Sequence, residues 1–207
     1  MKKAVIAEQN RAMLARQREF RMAADIVAEE WMAFPEVEAI AVIGSVAKRL
    51  WKEVPRFREF RRQNIEVWHE CGDLDLALWI SSQNRLHNLQ RAAGRALHAA
   101  YESGKGVSIV THQLDIFLFE PVSDRYLGRL CYFNQCPKGK FDCYAPGCGA
   151  IPFNKQIAEF KPYPDILAPI ETSMLYRRGA GRLRSALDLP AIEGDQTLSR
   201  GRIPPPA

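Results

Sequence analysis

The apolar and polar positions of this chain follow a helical period first and a strand period later. In residues 4–34, apolar side chains recur at intervals of three, four or seven residues while arginine and glutamate fill the other faces. This pattern predicts one long helix that ends at Pro35. Residues 37–43 form a short apolar run with β-branched members, which predicts a buried strand. Gly44 and Ser45 follow directly, and they are expected to open a short helix.

A second strand is predicted from residue 73 to residue 80, because two kinds of side chain alternate there. One face would carry Leu74, Leu76, Leu78 and Ile80, and the other would carry Asp73, Asp75, Ala77 and Trp79. Helical spacing returns in residues 84–103. A third strand is predicted within residues 106–120, and it ends at Pro121.

The remaining segments are less regular. Residues 51–71 are rich in arginine and aromatic side chains and are interrupted by Pro55, so we interpret them as an insertion with one helical stretch. Beyond the third strand we expect a brief helix, a cysteine cluster and a basic helix around residues 176–187. The last residues, 191–207, have the composition of a disordered tail.

Length and composition narrow the class of protein. A chain of 207 residues is long enough for one full-sized core, and 47% apolar with 26% charged residues is ordinary for a soluble globular protein. No stretch approaches the roughly 18 uninterrupted apolar residues of a membrane-spanning helix. The opening apolar run also stops at Glu8, so the predicted location is the cytoplasm and no membrane partner is expected. The net charge of +5 favours partners that carry phosphate, and a nucleotide would suffice.

Three acidic residues on the two later strands are candidate metal ligands. Residues two apart on a strand point the same way, so Asp73 and Asp75 would project from one face about 6.5 to 7 Å apart. If the strand of Asp115 pairs beside theirs at about 4.8 Å, its carboxylate joins the same face. Carboxylates this close repel one another unless cations neutralise them, and hard divalent ions such as Mg²⁺ or Mn²⁺ are the natural partners. Two such ions are suited to nucleotidyl transfer.

The turn after the first strand offers groups that bind phosphate. Glycine at position 44 lets the backbone approach a phosphate closely, and the Ser45 hydroxyl can donate a hydrogen bond. Amides at the start of a helix favour anions, and Lys48 and Arg49 add positive charge. These four residues are the predicted nucleotide-binding set.

In combination, these motifs resemble the DNA polymerase beta-like nucleotidyltransferase superfamily. Its pattern is an apolar strand followed by Gly-Gly or Gly-Ser, then acidic-apolar-acidic-apolar, then a third acid. The matching stretches are AVIGSVAKR, GDLDLALWI and LDIFLF, within residues 37–120. GSVAKR is also similar to the Gly-Ser-x-Ala-Arg form of the minimal members, with Lys48 in place of the arginine.

The resemblance implies roles for the individual residues. By position, Gly44 and Ser45 would bind the triphosphate, Asp73 and Asp75 would bind both metal ions, and Asp115 would bind the catalytic one. The implied reaction is the transfer of a nucleoside monophosphate from a triphosphate to a hydroxyl acceptor, with release of pyrophosphate. The acceptor stays open among small molecules, proteins and nucleic acids, because the insertion at 51–71 departs from the usual spacing.

The resemblance also implies a fold. It is an α+β fold, in which a mixed β-sheet nucleotidyltransferase core is flanked by helices. The sequence itself adds the expectation of a cysteine-rich C-terminal elaboration, and we divide the chain accordingly. The core would span residues 1–125 with the N-terminal helix and the insertion at 51–71. The C-terminal region would span 126–190, and the tail would follow at 191–207.

The alternative is a non-catalytic protein with this fold that binds a nucleotide or another partner. An Asp-x-Asp pair on an exposed strand is often only a solvated polar face, and fold does not guarantee function. Binding to nucleic acid is one form of this alternative, although a solvated basic helix with an aromatic packing face is the more frequent explanation of such clusters. The cluster in question consists of Arg56, Phe57, Arg58, Phe60, Arg61, Arg62 and Trp68.

Four of the five cysteines lie close together in the sequence, with the spacing C-x4-C-x6-C-x4-C. They are Cys131, Cys136, Cys143 and Cys148. Prolines and glycines between them can form tight turns around a tetrahedral ion, so a structural Zn²⁺ site is one interpretation. Structural zinc pairs often have two intervening residues, so ordinary thiols in a turn-rich loop are the other. Cys71 stands apart and is interpreted as a small residue without a role.

Overall fold

The computed structural model describes residues 3–50, 52–53, 62, 67–130, 153–154 and 173–191. Its helices are α1 (Lys3–Met32), α2 (Gly44–Ala47) and α3 (Leu86–Glu102). Its strands are β1 (Val37–Ile43), β2 (Lys52–Glu53), β3 (Val67–Trp68), β4 (Leu74–Ile80), β5 (Leu114–Phe119), β6 (Tyr126–Leu130), β7 (Phe153–Asn154), β8 (Met174–Arg177) and β9 (Gly181–Arg182). Short 3-10 turns cover Thr111–Gln113 and Ala186–Asp188. Within these ranges, none of the helices combines the length and apolar character needed to cross a membrane.

One mixed sheet organises the described part of the chain. Its strands lie in the order β7-β6-β5-β4-β1-β8-β9. β4 and β5 are parallel, whereas the other neighbouring strands are antiparallel. A separate two-stranded ribbon pairs β2 with β3. The predicted α+β class, with a mixed sheet flanked by helices, is confirmed.

The parallel pair depends on α3, because parallel neighbours need a crossover connection that a hairpin cannot supply. α3 runs between β4 and β5 and returns the chain to the end of the sheet at which β4 began. The starts of the two strands therefore lie side by side, with Leu74 beside Leu114 and Asp75 beside Asp115.

α1 and α3 cover one face of the sheet and form the main core with it. From α1, Phe20, Val27 and Trp31 are fully buried there, as the helical spacing of their apolar stripe requires. The Trp31 indole N–H donates to the Leu89 carbonyl at 2.9 Å and joins the two helices. The even-numbered apolar residues of β4, including Leu76, belong to the same core.

The opposite face of the sheet carries a second, smaller apolar cluster. Its buried members are Ala39, Ala41, Ile43, Ala77, Trp79, Phe119 and Met174. The alternation predicted for β4 is therefore correct, since its two sets of side chains separate onto the two faces. By the same alternation, Asp75 and Asp115 lie on the face of the smaller cluster.

Two predicted helices are wrong. After Pro121 the chain turns and forms β6 in place of a brief helix. The stretch 176–187 is mainly an antiparallel hairpin of β8 and β9 and a 3-10 turn, where a basic helix was expected. Gly179 and Gly181, with φ of +85° and +77°, form the tight turn that helical spacing alone did not reveal. Both β6 and β8 join the sheet of β1, so one sheet includes strands from both sides of residue 125.

Several predictions fall on segments outside the described residues. They are the zinc site at Cys131, Cys136, Cys143 and Cys148, the tail beyond residue 191, and most of the insertion at 51–71. The two ends of that insertion are described, and they pair as β2 and β3.

Candidate functional site

Three carboxylates converge at the end of the sheet where β4 and β5 begin. Asp73, Asp75 and Asp115 each place a carboxylate oxygen within 4.8 Å of the others. Oxygens bound to one hard divalent ion at about 2.0 to 2.6 Å lie within about 4 to 5 Å of each other, so this spacing fits such an ion. Asp75 and Asp115 are half-buried and Asp73 is exposed, so the group is accessible from solvent.

The strand register produces this convergence. Asp75 and Asp115 are directly paired in the parallel ladder of β4 and β5, so their side chains leave the same face of the sheet. Asp73 comes just before β4, two residues ahead of Asp75, and its side chain joins theirs. Sequence alternation placed Asp73 and Asp75 together, but only the pairing of β4 with β5 adds Asp115.

Gly44 places the predicted phosphate turn against this acidic group. Ile43, the last residue of β1, pairs with Asp75 across the antiparallel ladder, and the chain then turns at Gly44 with φ of +68°. A Cβ atom at position 44 would lie 3.0 Å from Cγ of Asp75 and would overlap its Oδ2 atom. Glycine is therefore required both by the backbone conformation and by the close carboxylate.

Ser45 contacts a residue to which the sequence assigned no role. The side chains of Ser45 and Cys71 are hydrogen-bonded, and Cys71 is 1% exposed. Burial raises the pKa of the Cys71 thiol, and the Ser45 hydrogen bond and Arg21 oppose that rise only in part. The segment that carries Asp73 and Asp75 thus contacts both residues of the turn, Ser45 through Cys71 and Gly44 through Asp75.

Lys48 and Arg49, the other two predicted nucleotide ligands, follow the turn directly and have exposed side chains. α2 is a single turn of four residues, ending before Lys48. A helix this short has little macrodipole, so its dipole can add less to anion binding than a full helix would. The groups near this turn that are able to attract an anion are instead the Ser45 hydroxyl and the side chains of Lys48 and Arg49.

Two polar residues of α1, missed from the sequence, contact the residues just after the turn from the core side. Arg21 is 2% exposed and donates from Nε to the Val46 carbonyl at 3.0 Å. Gln17 is 1% exposed and donates from Nε2 to the Lys48 carbonyl at 2.8 Å. A signal was present, because Gln17 and Arg21 are four residues apart on the apolar face of α1, where Ala24 continues the stripe.

Fold and site together define a class, an α+β protein with a solvent-accessible cluster of three carboxylates whose oxygens lie close enough together to ligate one ion. Comparisons with protein-family models, with curated proteins and with solved structures find no match for this chain. The case for a function therefore depends on the geometry of the site.

Proposed function

We propose that this protein is a nucleotidyltransferase that depends on Mg²⁺ or Mn²⁺. The observation that supports the proposal is the convergence of Asp73, Asp75 and Asp115 next to the turn at Gly44. A metal-binding group alone would suit many functions. A metal-binding group in contact with a glycine-serine turn that can accept phosphate is suited to chemistry on a nucleoside triphosphate.

The three aspartates would hold the divalent ions, and their donor set fits, since hard divalent cations prefer carboxylate oxygens. When bound, such ions activate an attacking hydroxyl and stabilise the charge on a leaving pyrophosphate. Gly44 allows close approach of the phosphates, and the Ser45 hydroxyl donates to them. The proposed reaction therefore requires that the three carboxylates and the Gly44-Ser45 turn lie next to each other.

The proposed reaction is a substitution at the α-phosphorus of a nucleoside triphosphate. The oxygen of an acceptor hydroxyl forms a bond to the α-phosphorus, and the bond from that phosphorus to the bridging oxygen breaks. Pyrophosphate leaves, and the hydroxyl proton is released to solvent. The acceptor class spans small molecules, proteins and nucleic acids, and the four arginines within residues 56–62 of the insertion are one basic stretch that would suit a polyanionic acceptor.

Metal-dependent nucleotide binding is expected regardless of the acceptor. At a triphosphate concentration 100 times its Kd, binding to the native state adds about 2.7 kcal/mol of stability. For a domain of this size, that corresponds to a rise in Tm of about 5 to 10 °C. Differential scanning fluorimetry with each of the four ribonucleoside triphosphates, with Mg²⁺ or with EDTA, measures it. A rise that is equal in EDTA, or no rise with any nucleotide, would contradict the proposed site.

Turnover is tested with triphosphates labelled at the α-phosphate. We expect label to move to an acceptor in the presence of Mg²⁺ or Mn²⁺, with pyrophosphate released in equal amount. The acceptor panel would contain the protein itself, total RNA, and small molecules with free hydroxyls. Nucleotide binding without label transfer or pyrophosphate release on any acceptor would favour the non-catalytic alternative.

We also propose a structural Zn²⁺ ion at Cys131, Cys136, Cys143 and Cys148. The support is the spacing of four thiols among turn-forming residues in the sequence. Elemental analysis of the purified protein should find about one zinc per chain, since a structural site has four protein ligands. A content far below one, or one that is unchanged when Cys136 and Cys143 are replaced by serine, would leave ordinary thiols as the explanation.

A further inference from the structure

Arg21 is a buried cation with an unusual set of partners. Its guanidinium donates to carbonyl oxygens in two separate segments of the chain. From the residues that follow the Gly44-Ser45 turn, Val46 accepts from Nε at 3.0 Å and Lys48 accepts from Nη2 at 3.2 Å. From the segment after the last 3-10 turn, Leu189 accepts from Nη1, and Pro190 accepts from Nη2 at 3.0 Å.

The Arg21 guanidinium is a positive charge inside the protein. Burial lowers the pKa of Arg21 to about 10, which is still far above neutral pH, so the side chain stays charged. Burying a charge is costly, and carbonyl dipoles compensate it only in part because they carry no net negative charge. The hydrogen bonds of Arg21 within the described residues all go to main-chain carbonyls.

The arrangement holds the turn on two sides. Gln17, one helical turn before Arg21, donates to the same Lys48 carbonyl. On the other side, the Leu50 amide donates to the Ala191 carbonyl at 2.8 Å. Residues 46–50 are therefore hydrogen-bonded both to α1 and to residues 189–191. The Arg21 side chain is hydrogen-bonded to residues 46–48 and also to residues 189–190.

We propose that Arg21 is the positioning residue of the triphosphate site. This inference rests on the proposed function, since it assigns Arg21 a role in the binding of the same nucleotide. The planar guanidinium fixes the carbonyls of Val46 and Lys48, and so the path of the chain directly after Ser45. Its charge, placed behind the turn, adds a fixed attraction for the anionic phosphates that solvent screens only weakly.

The test compares Arg21→Lys and Arg21→Gln with a matched control. Arg178 provides the control, because its guanidinium also donates to main-chain carbonyls, those of Phe34 and Val37, at the other end of β1. We expect Arg21→Lys to raise KM for the triphosphate by about 10-fold or more. The single ammonium group of lysine cannot reproduce the planar set of N–H donors that the guanidinium offers to separate carbonyls. Arg21→Gln should raise KM further because the charge is lost, whereas Arg178→Lys should leave KM within about 2-fold of the parent.

The split between KM and kcat separates positioning from a merely structural role. Partial unfolding lowers the active fraction, and therefore the apparent kcat, but leaves KM unchanged. An unchanged KM in Arg21→Lys with a lower apparent kcat would overturn the inference, as would equal effects in Arg21→Lys and Arg178→Lys. If the parent protein shows no Mg²⁺-dependent nucleotide binding, the proposed function itself has failed.

Gln17→Met gives a second measurement if the Arg21 variants do not fold. It removes one hydrogen bond to Lys48, keeps the length of the side chain and leaves a less polar core. We expect KM for the triphosphate to rise by about 3-fold, because the Lys48 carbonyl, just after the turn, loses one of the two hydrogen bonds that it accepts from α1. An unchanged KM in a folded Gln17→Met protein would contradict a positioning role for this side of the turn.

Discussion

Asp75→Asn is expected to lower kcat for nucleotidyl transfer by about 10²- to 10³-fold, since it removes one charge at the site where charge develops in the reaction. Asp75 is the central member of the group, because it pairs with Asp115 across the ladder and contacts Gly44. Asparagine has the same size and planar shape, so the fold should tolerate it. We expect Tm in EDTA to stay within about 2 to 4 °C of the parent, the equivalent of about 1 kcal/mol. The rise in Tm produced by Mg²⁺ and nucleotide should be lost.

Asp124→Asn is the matched control for this experiment. Asp124 lies in the turn between β5 and β6, where its carboxylate accepts from the Trp79 indole N–H at 2.6 Å. Its φ of +53° suits asparagine, so the backbone should not be strained by the substitution. This variant should keep the activity of the parent and its response to Mg²⁺. Activity in Asp75→Asn at the level of Asp124→Asn would rule out the triad as the catalytic centre.

Gly44→Ala should reduce activity by about 10²-fold, because it displaces the acidic group and the turn relative to each other. The added Cβ would overlap Oδ2 of Asp75, so either the carboxylate or the turn must move. The positive φ adds a stability cost of about 1 to 2 kcal/mol for any residue other than glycine. Both the free energy of unfolding, from urea titration, and the steady-state rate should therefore fall.

Gly104→Ala separates the two causes of that loss. Gly104 has φ of +69°, almost the same as Gly44, but a Cβ there would meet no atom within 4 Å. We expect it to show the backbone cost of about 1 to 2 kcal/mol and full activity. The contrary result would be that Gly44→Ala matches Gly104→Ala in both its free energy of unfolding and its steady-state rate. That result would show that the close contact between the turn and Asp75 has no role in function.

The fold was predictable where apolar side chains recur with a clear helical or strand spacing. The stripe of α1, the apolar run of β1 and the alternation in β4 each identified an element with nearly correct bounds. The hairpin of β8 and β9 was not predictable in this way, because its strands are too short to show a period. Its turn depends on two glycines with positive φ, and the sequence does not show which glycines adopt that conformation.

The candidate site was predictable only in part, since its members come from segments far apart in the sequence. Spacing predicted that Asp73 and Asp75 share a face, and the motif placed a glycine and a serine after β1. The contact between Ser45 and Cys71 and the hydrogen bonds of Arg21 were not anticipated. A charged residue in the apolar stripe of α1 was a visible anomaly, but its partners are main-chain carbonyls, which carry no sequence signal.

The sequence by itself determined which side chains can share a face, because a strand repeats every two residues and a helix every 3.6. It therefore determined that Asp73 and Asp75 share a face at the start of β4, and which side of α1 faces the core. The tertiary structure alone decided that β5 lies parallel beside β4 and that β1 pairs with β4 on its other edge. Strand order and register depend on packing over the whole sheet, and they are what bring Asp115 and Gly44 to Asp75.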